Sequence, residues 1–342
     1  MIMFISMTCI LHVREEKYMN GKKFLITGFS GFVGRHFLQY LYERSEAYEV
    51  CGVDIKEPAF DCSVYKDKLD IQFRKVNLLN RDELKTVLTE FAPDYILHLA
   101  SFSSVAYSWQ HPEDCFINNT HIFLNLTSAL KEAGLTCRIL SIGSSEEYGN
   151  VSKEQLPLKE NMHLTPVSPY AVARVSQEML SRVFVDHYHL NIILTRSFNH
   201  IGPWQDERFV VPSFIRRILN IKDSGAKAGM IETGDTTIIR DFVDVRDVVK
   251  AYYLLLTEGT PGEIYNICSG KGVPLSEVIE VIARITETDI RTKVNPEFVR
   301  PDDNRIIIGS HDKITAQLGW RPEISLEDTL RDMVAEKTSY PK

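Results

Sequence analysis

The chain has no C-x-x-C pair and no cysteine or histidine spacing that would build a metal site, although it carries 6 cysteines. Cys9, Cys51, Cys62, Cys115, Cys137 and Cys268 are scattered, the pattern of separate thiols in a reducing compartment rather than of a disulfide framework. No metal is therefore expected, and a cytoplasmic location is. Positive charge is not in excess. Lys+Arg number 39 against 46 Asp+Glu, a formal net charge of −7, so neither a nucleic-acid track nor an anionic membrane surface is expected as a partner. A local group of arginines would still suit a small phosphorylated ligand. Residues 1–13 are apolar but shorter than the roughly 20 residues a spanning helix needs, with no leading basic residue and no small-residue cleavage site. Residues 1–18 read as an extension outside the fold, expected to be disordered, with a membrane-surface anchor as the weaker alternative. Internal repeats and low-complexity runs are absent.

What is present is ordinary globular material. The 342 residues, 44% hydrophobic and 25% charged, suffice for one large or two moderate domains with a sizeable core. Strand-like apolar runs at 22–27, 49–55, 72–76, 95–100, 138–143 and 192–198 alternate with helical patterns at 32–44, 81–91, 112–134 and 168–189. This rhythm predicts an α/β fold with a doubly wound parallel sheet, with ligands at the strands' carboxyl ends. Beyond Asn199 the rhythm turns irregular, resuming as a helix over 244–257, a strand over 264–268 and helices over 275–286, 312–318 and 326–336. The expected division is a Rossmann domain over 19–198 plus 242–268, and a smaller C-terminal α/β substrate-binding lobe over 199–241 plus 269–342.

Between the first strand and first helix, Thr27-Gly28-Phe29-Ser30-Gly31-Phe32-Val33-Gly34 has the spacing G-x-x-G-x-x-G. Its glycines permit a tight turn, close approach to a pyrophosphate and packing of the helix on the sheet, with Phe32 and Val33 opening that helix. Asp54 closes the second strand about 20 residues beyond Gly34, where a carboxylate accepts hydrogen bonds from a ribose diol and repels a 2′-phosphate. NAD(H) is therefore favoured over NADP(H), with Lys56 as the opposing signal. Asn77 and Leu78 after the third strand, Leu99, Ala100 and Ser101 after the fourth, and Phe198 closing the sixth complete the candidate cofactor contacts.

In Ser168-Pro169-Tyr170-Ala171-Val172-Ala173-Arg174, Ser168 suits a helix cap and Pro169 its first turn, so Tyr170 and Arg174 share a face at i and i+4. A cation beside a phenol stabilises the phenolate and lets the hydroxyl exchange protons. Ser144, after the fifth strand, is a candidate donor to a substrate carbonyl, and Glu146 a candidate general base. Tyr170 and Arg174 are counted among both the catalytic and the cofactor-binding candidates.

These features resemble an extended short-chain dehydrogenase/reductase that acts on nucleotide sugars, over about 22–336. His98-Leu99-Ala100 and Ser168-Pro169-Tyr170 are shared across that superfamily. The runs 142–149, 196–203, 240–247, 265–270 and 300–303 resemble the GDP-sugar branch, which contains 4,6-dehydratases and 4-keto reductases, and 196–203 and 240–247 look closest to the reductases. The resemblance implies that Asn199 binds the diphosphate, that Arg240 and Arg300 clamp phosphate or ribose, and that Asp303 is a ribose-binding acid. It places Ser103 on the sugar-facing loop and Ser145 and Val210 at the substrate, with Arg216 reaching the nucleotide. It implies a homodimer through helices 112–134 and 168–189. Relatives carry lysine at position 174; arginine keeps the charge but brings a broad planar fork. Phe102 and His121 also stand where a smaller or polar residue is expected. The expected reaction is reduction of the C4 ketone of a GDP-4-keto-6-deoxysugar with Tyr170 as proton donor. A 4,6-dehydratase or epimerase with tightly held NAD is the alternative, and a non-catalytic binder the third.

Overall fold

A computed structural model describes residues 21–299 and 304–339. The extension expected over 1–18, together with Arg300 and Asp303, lies outside the described residues. The strands are β1 (Lys22–Thr27), β2 (Tyr48–Asp54), β3 (Leu69–Lys75), β4 (Tyr95–His98), β5 (Arg138–Ser144) and β6 (Asn191–Ser197). After them come β7 (Asn199–Ile201), β8 (Ala228–Thr233), β9 (Ile239–Asp244), β10 (Ile264–Ile267), β11 (Gly272–Pro274), β12 (Asp289–Val294) and β13 (Ile306–Ile307). The helices are α1 (Phe32–Glu43), α2 (Arg81–Phe91), α3 (Val105–Gln110), α4 (Pro112–Phe116), α5 (Ile122–Ala133) and α6 (Pro169–Tyr188). The remaining ones are α7 (Val210–Asp223), α8 (Val245–Glu258), α9 (Leu275–Thr286), α10 (Asp312–Leu318) and α11 (Leu326–Ser339).

Seven parallel strands form the main sheet in the order β10-β6-β5-β4-β1-β2-β3. The apolar runs of the inner strands are nearly continuous because both faces are covered, whereas the edge strand β3 alternates polar and apolar residues. Successive side chains alternate between two cores. Phe24, Ile26, Leu97 and Leu140 pack with α1 and α8 on one face, and Leu25, Cys51, Ile96 and Ile139 with α2, α5 and α6 on the other. Strand order reverses at β1, flanked by β2 and β4, and that switch point opens a crevice at the carboxyl ends of β1 and β4.

The helical pattern over 112–134 is not one α-helix. A π-helical segment, Ile117–His121, separates α4 from α5 and turns Asn119 inward. Asn119 Oδ1 accepts the Phe102 N–H at 2.7 Å and its Nδ2 donates to the Phe102 carbonyl at 3.0 Å, which pins the loop leaving β4. Beyond β6 a four-stranded sheet (β11-β9-β13, with β7 on β9) and the β8–β12 pair carry α7, α9 and α11 around Ile215, Ile218, Ile282 and Leu330.

Candidate active site

Gly28 leaves β1 with φ +68, and a Cβ built there would lie 2.7 Å from the Ala100 N, so only glycine fits beside the β4 loop. The Gly31 N–H closes the turn on the Gly28 carbonyl at 3.1 Å. Gly31 caps α1 without a side chain, leaving first-turn N–H groups for an anion. Asp54 frames the loop: its Oδ2 accepts the Ser30 N–H at 3.0 Å and its Oδ1 the Lys56 N–H at 3.2 Å. Phe32, Val33, Gly34, Asn77, Leu78, Leu99, Ala100, Ser101 and Phe198 line the same cavity, of about 1050 Å³. A glycine cradle that a Cβ would fill, a bare helix N-terminus and a pinned carboxylate at a strand end fit a dinucleotide.

The reaction face is built from β5 and α6. Ser168 Oγ caps α6 by accepting the Ala171 N–H at 3.1 Å, placing Tyr170 and Arg174 on the buried face. Arg174 Nε donates to the Tyr170 hydroxyl at 3.3 Å. Its Nη1 donates to the Ile142 carbonyl and to Gln177 Oε1, both at 2.9 Å, and its Nη2 to Ser101 Oγ at 2.6 Å. Gln177 Nε2 in turn donates to Ser141 Oγ at 2.9 Å. The planar fork thus meets acceptors set at its own spacing, a geometry no single ammonium reproduces. Ser144 Oγ accepts the Glu146 N–H at 3.2 Å, so the hydroxyl serves the loop as an acceptor and keeps a proton to donate.

Burial shapes the ionisable neighbours. It lowers His36 to about 4 and His98 to about 3, in the latter case with help from the Arg174 charge. Burial, then the Glu178 carboxyl, pushes Glu147 up to about 8. Among the described residues there is no cluster of acidic, histidine and cysteine side chains suited to a metal. No described helix is long and apolar enough to cross a membrane.

Ser103, Ser144, Ser145, Glu146, Asn199, Val210 and Arg240 line the cavity with Tyr170 and Arg174. Asn199 Nδ2 is buried with no hydrogen-bond partner among the described residues, and Arg240 is steadied by donating to the Asn304 carbonyl at 2.6 Å. Arg216 departs from expectation. It pairs with Glu207 at 2.8 Å outside the cavity lining, while Arg217, one position on, lines it and faces the Phe298 ring at 5.1 Å. Sequence reasoning also missed Trp204, which lines the cavity and stacks on the Arg35 guanidinium at 3.5 Å, and Tyr252, whose hydroxyl bonds Ser197 Oγ at 2.7 Å. Only the fold brings these together; no local spacing announces them.

The chain belongs to the GDP-mannose 4,6-dehydratase family, whose model matches residues 25–333. It is thereby a nucleotide-sugar-modifying enzyme of the short-chain dehydrogenase/reductase type. Among its relatives, GDP-6-deoxy-D-mannose reductase of Pseudomonas aeruginosa is 32% identical, over 92% of this chain and 97% of that one. GDP-mannose 4,6-dehydratase of Vibrio cholerae is 28% identical over 93% and 94%. The solved RMD structure from Pseudomonas aeruginosa, complexed with NADPH, superposes with a TM-score of 0.81 at 31% identity, covering 93% of this chain and 99% of that one. The UDP-glucose 4-epimerase of Thermus thermophilus, complexed with NAD, gives 0.79 at 27% identity, covering 92% and 98%.

Proposed function

We propose that this protein reduces the C4 ketone of a GDP-4-keto-6-deoxysugar, with NAD(H) favoured over NADP(H). The observation that carries the reading is the convergence of Ser144, Tyr170 and Arg174 on one cavity with the glycine cradle. Likeness to the Pseudomonas reductase over nearly its whole length supports it. A bound dihydronicotinamide supplies the hydride. Gly28, Gly31 and the N-terminus of α1 would hold its pyrophosphate and Asp54 its adenosine ribose, with Ser101, Tyr170 and Arg174 in the same cavity. Ser144 Oγ donates to the ketone oxygen and orients it. Tyr170, whose oxygen already accepts from Arg174, passes its own proton to that oxygen, and the guanidinium stabilises the phenolate that remains. Asn199 and Arg240 hold the diphosphate.

Mixing the protein, a reduced nicotinamide cofactor and GDP-4-keto-6-deoxymannose should bleach nicotinamide absorbance, and Tyr170→Phe should lower kcat about 10²–10⁴-fold. No turnover with either cofactor would sink this reading. Glu146 lines the same cavity and favours a second one, a 4,6-dehydratase in which it takes the C5 proton. Loss of water from a GDP-hexose without added reductant would establish that instead. We further propose a homodimer in the cytoplasm. Met179 and Val183 on α6 and Phe116 on α4 expose apolar side chains that a second copy would cover.

A further inference from the structure

Behind the Ser144 loop lies a sealed charge cluster that the reaction does not use. Glu147, Glu178 and Arg196 are 0%, 4% and 1% exposed. Arg196 holds Glu178 with both arms of its fork, Nε to Oε2 and Nη2 to Oε1, each at 2.9 Å. Its Nη1 donates to the Glu160 carbonyl at 3.1 Å and its plane lies 4.8 Å from the Tyr148 ring centroid. The buried cation is therefore committed to Glu178. Arg182 approaches Glu178 at 3.3 Å from a half-exposed position, where water screens it. The Glu160 carboxylate accepts the Asn266 N–H at 2.9 Å.

Glu147 has no such partner. Its Oε1 accepts the Ser144 N–H at 2.6 Å, while Oε2 is buried without a hydrogen bond and stands 4.0 Å from Arg196 Nε. Two carboxylates against one sealed guanidinium would leave a buried negative charge uncompensated, which is strongly unfavourable. A proton on Oε2 removes that charge and lets the orphaned oxygen donate toward Glu178. Gly143 carries no Cβ where one would strike Glu147 Oε1, so the carboxyl lies tight under the strand end.

We propose that Glu147 is held as an uncharged carboxylic acid and is the positioning residue of Ser144: one oxygen fixes the Ser144 N–H, and the other shares its proton with Glu178. Loss of that proton places two negative charges side by side and releases the Ser144 turn. The direction of the Glu147 shift, upward by burial and by Glu178, agrees. The catalytic consequence rests on the role proposed for Ser144.

Glu147→Gln reproduces the uncharged acid in shape and hydrogen bonding, whereas Glu147→Leu keeps bulk and loses both bonds. Hydrogen exchange at residues 143–149 of the full-length protein should be faster in Glu147→Leu than in Glu147→Gln. The folded acid binds its proton more tightly than the unfolded chain. Its contribution to stability is therefore full below pH 4.5 and lost as pH rises through about 8. The parent should therefore lose stability relative to Glu147→Gln as pH rises across this window. In turnover, kcat of the parent should step down on the alkaline side while Glu147→Gln shows no step, and Glu147→Leu should fall roughly tenfold or more with KM little changed. Parallel unfolding-versus-pH curves for the parent and Glu147→Gln overturn the proton assignment, and equal exchange in the Gln and Leu variants overturns the positioning role. Neither readout needs substrate, so both stand or fall apart from the reductase reading.

Discussion

Arg174→Lys separates charge from shape at the reaction centre. Both side chains carry one positive charge, but the guanidinium spreads four hydrogen bonds over Tyr170, Ile142, Gln177 and Ser101 between 2.6 and 3.3 Å. An ammonium has three donors radiating from one nitrogen and cannot reach acceptors spaced for a fork. At least one charge-assisted bond is lost, worth about 1.5–3 kcal/mol, and a buried acceptor is left unmet. If the lost bond is the one to Tyr170, or Tyr170 is displaced by the rearrangement, kcat/KM falls roughly 10- to 100-fold. Steady-state oxidation of the reduced cofactor with the keto-sugar measures it, alongside Arg174→Met, which removes the charge and should fall further. An Arg174→Lys enzyme as fast as the parent would refute the reasoning, because charge alone would then suffice at this position.

Asp54→Ser removes the carboxylate that, in the proposed reading, repels a 2′-phosphate. It should move the NADPH/NADH ratio of kcat/KM toward NADPH by about tenfold or more, and an unchanged ratio would show that Asp54 does not select the cofactor. His36 and His98 have folded-state values of about 4 and about 3 against 6.5 when unfolded, so the unfolded chain takes up protons that the folded one refuses. Their contribution is complete above pH 6.5 and lost as pH falls below it, at up to about 3 kcal/mol per pH unit for two protons. Urea titrations from pH 7 to about pH 5 that show no loss would contradict this. Met179→Glu combined with Val183→Glu should convert a dimer to monomers in sedimentation velocity while leaving helix content unchanged; a parent that already sediments as a monomer excludes the interface.

β1, β2, β4, β5 and β6 are readable because strands covered on both faces demand continuous apolar runs, β3 because its apolar residues alternate as in a half-buried edge strand, and Gly28, Gly31 and Gly34 mark the turn after β1. β8 and β12 are not, since they expose Met230 and Val294, β12 is exposed along nearly its whole length, and the short sequence of β8 carries too few apolar residues to show its alternation. The π-helical turn at Ile117–His121 has no composition of its own and exists to turn Asn119 inward toward Phe102. Arg216 and Arg217 differ by one step of about 100° around α7, and the buried residues Val211, Phe214, Ile215 and Ile218 decide which of them faces the cavity. Arginine at position 174 is visible as a departure. Its accommodation is half visible, because Gln177 lies on the same helix face at i+3, while Ser101 and the Ile142 carbonyl reach it only through sheet order.

The acceptors gathered around Arg174 bear on how this chain can change over generations. A lone exchange to lysine leaves at least one of Tyr170, Ile142, Gln177 and Ser101 without its bond, and a lone change at position 101 or 177 takes one acceptor from the guanidinium. A change at any one of positions 101, 174 and 177 therefore alters what the other two must do, so the three positions are coupled. Libraries randomised at the three positions together should recover functional combinations as linked sets rather than as independent choices.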